Sequence, residues 1–439
     1  MPTLQRSFRA AVTALLLSFT IFSPQVIQAQ RATRAQPAPP PVALDEIASG
    51  GSIGEEALAP ATIGQVLISE FRFRGAGGAA DEFVELYNNT NTDLDISGYT
   101  LHALTAAGAQ NLRFTVPGAL GSNTTIIPAR GHFLITGASY SLAAVAASNG
   151  TLSTGIVDGS SIGFFAGATP TAGTRIDSAG FDTRDALFFE GTAITPSGAG
   201  TGGITTSGEY SFVRKMSGPN GESQDTDNNN ADFVFVSTTA GTFSTRVSIL
   251  GAPGPENLAS PTLKTNAQMT GARLDTGVAS TVAPNRVRTQ RAACPPVSSV
   301  GIVCDNTKSN LGTMEIRLKI TNNTGAPVTR LRFRVVNITT LNNRNPATEA
   351  DIRALNNSGN FSAAISPAGG GGSQTVQNLT LEAPSDTVTL GGALHSTLGA
   401  GTITVGTPLA NGAAINVNFM LGVQLSGGFR FFVIVEALP

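Results

Sequence analysis

Tryptophan is absent from this chain of 439 residues, and cysteine, histidine and methionine are scarce, with two, three and five copies. Charged residues make up only 13% of the sequence, whereas glycine occurs 50 times. Low charge with abundant glycine is more typical of an all-β protein with many turns than of a helical one. The formal net charge of −2 predicts no general attraction to nucleic acid or to an acidic membrane.

Motifs that mark common catalytic sites are also missing. None of His102, His132 and His395 has a zinc-binding spacing such as H-E-x-x-H, and no G-x-S-x-G elbow or P-loop occurs. A lone histidine at a predicted strand start, such as His132, is more often structural or exposed than catalytic. We therefore expect no enzymatic activity and no cofactor, apart from the calcium ion considered below.

The first 29 residues have the pattern of a secretion signal. Arg6 and Arg9 precede an apolar run, residues 10–22, and the segment ends at Ala29, a small residue that a signal peptidase accepts. The alternative is a membrane anchor, but this run is shorter than the ~20 residues that a spanning helix needs. We expect a secreted, extracytoplasmic protein, with no transmembrane span in a mature chain that begins at Gln30.

Strand-like patterns divide the mature chain into two β domains. Residues 30–63 are rich in proline and alanine and are predicted to be a linker. Residues 64–257 form the first predicted domain and residues 298–439 the second. Residues 258–297 lack a clear periodicity and are interpreted as a linker or an irregular sheet edge.

Three strand-like runs open the first domain. Val66–Phe73 and Glu82–Tyr87 are rich in β-branched and aromatic residues and flank a glycine-containing loop, and Leu94–Leu101 follows a polar turn. They contain the motifs Ile68-Ser69-Glu70, Glu85-Leu86-Tyr87-Asn88 and Ile96-Ser97-Gly98-Tyr99-Thr100-Leu101. These motifs resemble the Ile-Ser-Glu, Glu-Leu-x-Asn and Leu-Ser-Gly-Trp-x-Leu strands of the lamin tail domain.

The resemblance extends over about residues 64–257 and implies an immunoglobulin-like β-sandwich. Tyr99 stands where the family has tryptophan, and we expect it to remain an aromatic residue of the core. The fold hosts many unrelated functions, so the resemblance does not identify a ligand.

The second domain is predicted to be another antiparallel β-sandwich. Apolar and polar residues alternate over residues 314–320, 331–335 and 415–425, which is the pattern of strands with one wet face. A turn separates the first two runs, and a second turn separates 415–425 from 429–435. The order of runs and turns predicts two hairpins in an immunoglobulin-like layout.

The loop from Asp225 to Asp232 is the best candidate for ion binding. Asp225, Asp227 and Asn229 reproduce the opening of the calcium pattern D-x-[DN]-x-[DN], and Asp232 adds a carboxylate. The loop departs from an EF-hand, which needs glycine at its sixth position and glutamate at its twelfth. The alternative is a turn whose Asn and Asp side chains cap their own backbone.

Basic residues are concentrated between Lys264 and Arg344, a segment that contains twelve lysines and arginines but only three acids. If residues 314–320 and 330–335 form a hairpin, five basic side chains share its solvent face. They are Arg317, Lys319, Arg330, Arg332 and Arg334. Such a face would bind an anionic polysaccharide, lipid headgroups or extracellular DNA. The alternative is a solvated strand face that discourages aggregation.

Two pairs of side chains complete the candidates. Cys294 and Cys304 are expected to form a disulfide in an oxidising compartment, with two free thiols as the alternative. Glu70 and Glu85 lie on neighbouring predicted strands and could meet as an acid/base pair or a metal site. The alternative is that each carboxylate hydrogen bonds to backbone at a loop.

These observations favour a non-catalytic, secreted or cell-surface protein that acts in binding or adhesion. Its expected partner is a surface protein or polysaccharide, with extracellular DNA as a further candidate. Two alternatives remain open. One is a structural surface component without a soluble ligand, and the other is a divergent metal-dependent hydrolase accessory protein that uses Glu70, Glu85 or the Asp225 loop.

Overall fold

Strands account for nearly all the regular structure, as the composition predicts. The computed structural model describes residues 58, 60–216, 222–292 and 305–439. Within these residues the longest α-helical segment is a single turn, α1 (Asn229–Asp232). The strands form two β-sandwiches, both within one compact unit, Glu56–Pro439.

The first sandwich consists mainly of a seven-stranded sheet, in the order β15-β12-β11-β1-β2-β7-β8, and a four-stranded sheet, in the order β10-β9-β4-β5. Its strands are β1 (Val66–Arg72), β2 (Phe83–Asn88), β3 (Leu94–Asp95), β4 (Thr100–Leu104), β5 (Gln110–Thr115), β6 (Ile126–Ile127), β7 (His132–Thr136), β8 (Gly150–Thr151), β9 (Ser161–Phe165), β10 (Arg175–Gly180), β11 (Tyr210–Arg214), β12 (Phe233–Ser237), β13 (Thr242–Phe243), β14 (Arg246–Val247) and β15 (Ile249–Leu250).

The antiparallel pair β1 and β2 lies at the centre of this sandwich and confirms the two strands predicted there. All residues of both strands are buried, so both faces of the pair are covered. Phe71 on β1 packs among aromatic side chains that include Phe212 on β11, with ring centroids 5.3 Å apart, and Phe233 on β12, with ring centroids 5.4 Å apart. Each buried aromatic ring removes a large apolar area from water, so these contacts contribute strongly to the core.

The third predicted strand, residues 94–101, is interrupted by a turn between β3 and β4. The Asp95 carboxylate accepts a hydrogen bond from the Ser97 backbone at 2.9 Å, and Gly98 adopts a φ of +73°, which favours glycine. Tyr99 follows this turn and is buried in the core, where its hydroxyl donates to the Ala61 carbonyl at 2.6 Å. The structure therefore confirms the expected core position of this aromatic residue.

The second sandwich packs a five-stranded sheet, in the order β16-β27-β20-β25-β24, against a seven-stranded sheet that contains β17-β19-β26-β23-β22, with β18 also paired to β19 and β21 to β26. Its strands are β16 (Thr262–Lys264), β17 (Met269–Arg273), β18 (Arg286–Gln290), β19 (Gly312–Asn322), β20 (Arg330–Ile338), β21 (Asp351–Ala354), β22 (Asn360–Ala364), β23 (Ser373–Asn378), β24 (Thr380–Leu381), β25 (Thr397–Gly399), β26 (Ala414–Leu425) and β27 (Phe431–Leu438).

The strands of the two predicted hairpins do not pair as expected. β19 pairs with β26 in one sheet, and β20 pairs with β27 in the other, so the chain changes sheet at each turn. The apolar face of each strand still points into the core: the ring of Phe333 on β20 lies 5.0 Å from that of Phe419 on β26, across the sandwich. The alternation of apolar and polar residues correctly predicted the inward face of each strand, but the predicted pairing of the strands was wrong.

Residues 258–292, which the sequence suggested to be a linker or an irregular edge, contribute three strands to the second sandwich. β16 pairs with β27, whereas β17 and β18 both pair with β19. The structure thus corrects the linker interpretation for the described part of this segment. These strands have no clear sequence signal because they are short and lie near sheet edges, where few side chains need to be apolar.

Candidate functional site

The Asp-rich loop before β12 is closed by its own side chains. The Asp232 carboxylate accepts hydrogen bonds from the Thr226 backbone at 2.9 Å and from the Gln224 side chain at 2.8 Å. Asn228 caps α1 by accepting a hydrogen bond from the Ala231 backbone at 3.1 Å. Asp232 therefore stabilises the turn, in agreement with the alternative considered for this loop.

Asn229, another predicted calcium ligand, has a structural role as well. Its side-chain oxygen accepts a hydrogen bond from the Glu190 backbone at 3.1 Å, and its amide nitrogen donates to the Ser178 carbonyl at 2.8 Å. Asn229 is fully buried, so these bonds fix the loop to two other segments of the first sandwich. The structure therefore does not bring the four predicted residues together as one ion site.

Asp225 and Asp227 instead approach Glu190. One carboxylate oxygen from each of the three residues lies within 4.8 Å of the other two. Backbone hydrogen bonds hold the two segments side by side, from Asn229 to the Glu190 carbonyl at 3.0 Å and from Asn230 to the Thr192 carbonyl at 2.9 Å. Sequence reasoning missed Glu190 because it belongs to no motif and is distant from the loop along the chain.

Negative charge surrounds Glu190. The neighbouring Asp177 accepts hydrogen bonds from the Arg214 guanidinium at 2.6 Å and from the Ser178 backbone at 2.9 Å. Burial, followed by the charge of Asp177, raises the pKa of Glu190 to about 9. Glu190 therefore carries a proton at neutral pH.

The predicted basic face is not a single solvent surface, because Arg332 and Arg334 are buried. The Arg332 guanidinium lies 2.5 Å from Glu436 on the neighbouring strand β27 and also forms an ion pair with Glu256. Arg334 lies 2.6 Å from Glu436 and 2.8 Å from Glu256. Glu256 lies between the two sandwiches along the chain, so these arginines bind the protein's own acids.

The other three residues of that face lie apart. Arg330 is more exposed, 3.5 Å from Glu382, but belongs to a different sheet from Arg317 and Lys319. Arg317 is paired with Glu315 at 2.6 Å, whereas Lys319 is exposed. The prediction failed because it assumed that β19 and β20 form a hairpin.

Acids of the first sandwich meet the buried arginines and form what we call the inter-sandwich ion cluster. Its members are Glu70, Glu85, Glu256, Arg332, Arg334 and Glu436. Glu70 accepts a hydrogen bond from the Gly254 backbone at 3.1 Å, and Glu85 accepts one from the Glu256 backbone. Both glutamates thus bind backbone at a loop, as in the alternative to an acid/base pair.

Burial sets the ionisation of this cluster. It raises the pKa of Glu70 to about 7 and, together with the charge of Glu70, holds the pKa of Glu85 well above its usual range. At Glu436, burial alone would raise the carboxyl pKa, but Arg332 and Arg334 outweigh this effect and lower the pKa to about 2. Glu436 is therefore ionised at neutral pH, whereas Glu70 and Glu85 retain protons more readily.

Two of the three histidines border this cluster. His132 stacks on Tyr87 with ring centroids 4.8 Å apart and lies 3.4 Å from Glu256, while His395 lies 3.3 Å from the Ala252 carbonyl. Burial lowers the pKa of His132 to about 3 and that of His395 well below its usual range. Both imidazoles are neutral at physiological pH and are enclosed by protein.

A pocket of about 320 Å³ opens beside β18 in the second sandwich, and we call it the Arg286 pocket. Its apolar lining includes Met314 and Val423, and the Arg286 guanidinium lies 5.8 Å from the ring centroid of Phe429. Arg288 also lines it and donates to the Leu311 carbonyl at 2.7 Å. The pocket thus combines an aromatic ring, apolar surface and positive charge, which sequence reasoning did not predict.

Several predictions concern residues outside the described part of the chain. These are the signal peptide over residues 1–29, most of the linker over residues 30–63, and the disulfide between Cys294 and Cys304. Of the helices that are described, none has the length and apolar character needed to cross a membrane.

One comparison with known proteins, a family model, supports the family resemblance. Residues 59–182 match the family model described as Lamin Tail Domain, which confirms the resemblance for that segment. The crystal structure of a DUF4876 family protein from Bacteroides thetaiotaomicron is similar over 40% of this chain and 70% of that chain, with 13% sequence identity and a TM-score of 0.26. No significant match was found among curated proteins.

Proposed function

Since residues 59–182 form a lamin tail domain, we propose that the chain is an extracytoplasmic protein that binds or adheres rather than catalyses. The observation that carries this proposal is that the candidate acid/base side chains are engaged in contacts within the protein. The two glutamates and two histidines that offered acid/base chemistry contribute to, or border, the contact between the sandwiches. They support a fixed two-sandwich body instead of an open reaction site.

The remaining histidine fits this interpretation. His102 lies on β4, is 6% exposed, and its ring contacts that of Phe165 edge-on at 5.7 Å. Burial lowers its pKa, so that the imidazole stays neutral at physiological pH. A general base must reach its substrate, and this ring is enclosed by its own sandwich.

We propose the Arg286 pocket as the ligand-binding surface and an anionic polysaccharide as its ligand. Arginine pairs well with carboxylate or sulfate groups, and the ring of Phe429 offers an apolar surface for a sugar. In the described part of the chain, no acidic side chain lies within ion-pair distance of Arg286. This cation is therefore available to an external anion, unlike Arg332 and Arg334.

The test is a salt titration of the mature chain binding to immobilised heparin and polygalacturonate, with duplex DNA as a comparison. Binding should weaken steeply with salt if anionic groups are neutralised by arginine. Arg286→Ser should weaken binding to the polysaccharide by about tenfold, which corresponds to ~1.4 kcal/mol. Lys215→Ser, which removes an exposed cation from the first sandwich, is the matched control.

Each outcome has a defined meaning. A loss confined to Arg286→Ser supports the pocket, whereas equal losses in both variants would indicate only general charge attraction. Tighter binding to DNA than to either polysaccharide would contradict the proposed ligand class. No binding at low salt would refute the ligand proposal and favour a structural surface component.

A further inference from the structure

We propose that Glu190, Asp225 and Asp227 form a calcium-binding site on the first sandwich. Their nearest carboxylate oxygens lie within 4.8 Å of one another. Calcium binds oxygen ligands at about 2.3–2.6 Å, so one ion between these carboxylates would reach all three with little movement. This ligand set differs from the loop pattern, because Glu190 replaces Asn229 and Asp232.

An independent observation points to a missing partner at Glu190. Its side chain is 5% exposed, and its Oε2 atom has no hydrogen-bond donor among the described residues. Buried carboxylate oxygens are normally paired, because burial without a partner is costly.

The charge balance also favours a cation. The acids around the site are Asp177, Glu190, Asp225, Asp227 and Asp232, and the nearby cations are Arg175, Arg214 and Lys215, whose Nζ atom donates to the Ala231 carbonyl. Arg214 contacts three of those acids, and Arg175 lies 3.9 Å from Glu190. Acids therefore still outnumber cations at the loop.

The chemistry of the ligands selects the kind of ion. All three side chains offer hard oxygen atoms, which suit calcium better than metals that prefer nitrogen or sulfur. Asp225 and Asp227 are exposed, so water can complete the coordination shell. With three carboxylates the site resembles weak extracellular calcium modules, whose dissociation constants are about 10⁻⁴–10⁻³ M.

The test is calcium titration of the full chain after chelator treatment, followed by calorimetry and thermal unfolding. Glu190→Gln and Asp227→Asn each remove one carboxylate ligand, and Asp386→Asn removes an exposed acid of the second sandwich as a control. Asp227 has a φ of +52°, which asparagine tolerates, so this variant should keep the fold. Circular dichroism of each variant checks that it does.

The wild-type chain should bind one calcium ion saturably, and its melting temperature should rise with calcium concentration. Glu190→Gln and Asp227→Asn should each weaken binding at least tenfold, whereas Asp386→Asn should bind like the wild type. Without calcium, Glu190→Gln should melt no lower than the wild type, because glutamine is uncharged, like the protonated Glu190, and has a similar volume. The absence of saturable binding up to about 10 mM calcium, or unchanged binding by both site variants, would overturn the proposal.

Discussion

Replacing Arg334 with alanine should destabilise the protein strongly. The side chain is 1% exposed, and its guanidinium lies 2.6 Å from Glu436 and 2.8 Å from Glu256. Its removal would leave Arg332 as the one arginine of the inter-sandwich ion cluster, facing four glutamates. Removing one partner of a buried ion pair costs about 3–5 kcal/mol. That is a large part of the ~5–15 kcal/mol by which a typical protein is stable.

Arg330 provides a matched control on the same strand. Its side chain is 46% exposed and lies 3.5 Å from Glu382, so its loss should cost about 0–1 kcal/mol. Urea unfolding of Arg334→Ala and Arg330→Ala, followed by far-ultraviolet circular dichroism, compares the two. We expect the free energy of unfolding to fall by about 3 kcal/mol or more only in Arg334→Ala.

A loss in Arg334→Ala within about 1 kcal/mol of that in Arg330→Ala would refute this reasoning, because it would mean that the buried pairs contribute no more than a surface pair. A double variant distinguishes charge from packing. Arg334→Met with Glu436→Gln keeps most of the side-chain volume while removing both charges. It should be more stable than Arg334→Ala, because fewer buried charges are left unpaired.

Three further predictions concern pH, a single buried hydroxyl and the processing of the chain. The contribution of Glu70 to stability is complete below pH 4.5 and should be lost as pH rises through its pKa of about 7, whereas that of His132 is complete above pH 6.5 and should be lost as pH falls towards about 3. Glu70→Gln should therefore flatten the alkaline side of a urea-unfolding pH series, and an unchanged slope would contradict this. Tyr99→Phe should lower the free energy of unfolding by about 1 kcal/mol, because it removes the hydrogen bond from the Tyr99 hydroxyl to the Ala61 carbonyl. An unchanged urea midpoint would mean that this bond contributes nothing to stability. Mass spectrometry of the exported protein should find a chain that begins at Gln30 and lacks two hydrogens at Cys294 and Cys304; an uncleaved or fully reduced chain would show those predictions to be wrong.

Local patterns were sufficient to predict the fold class and several strands. The runs that became β1 and β2 are rich in apolar and β-branched residues, so their character does not depend on distant partners. The interruption between β3 and β4 was not predicted, because Asp95 and Gly98 form a short turn within an apolar run. Short edge strands such as β16 were missed because two or three residues carry no detectable period.

Pairing could not be predicted in the same way. Alternation along β20 predicts that Leu331, Phe333 and Val335 share one face, which the structure confirms by their burial. It does not specify what covers the opposite face, where Arg332 and Arg334 lie. Their acidic partners, Glu256 and Glu436, are distant in the sequence. The pattern of arginines along β20 therefore predicted a solvent-exposed face, whereas the fold places those acids against it.

The inter-sandwich ion cluster explains why the two sandwiches form one compact unit rather than two independent domains joined by a flexible linker. Burying charges is costly, and apolar side chains of similar volume would often give equal or greater stability. What ion pairs add is orientation, because each guanidinium must meet its carboxylates at hydrogen-bonding distance. Arg332 and Arg334 both contact Glu256, which follows the first sandwich, and Glu436 on β27. We infer that these contacts fix the orientation of the Arg286 pocket relative to the lamin tail domain, which a protein that joins a ligand to a surface would require.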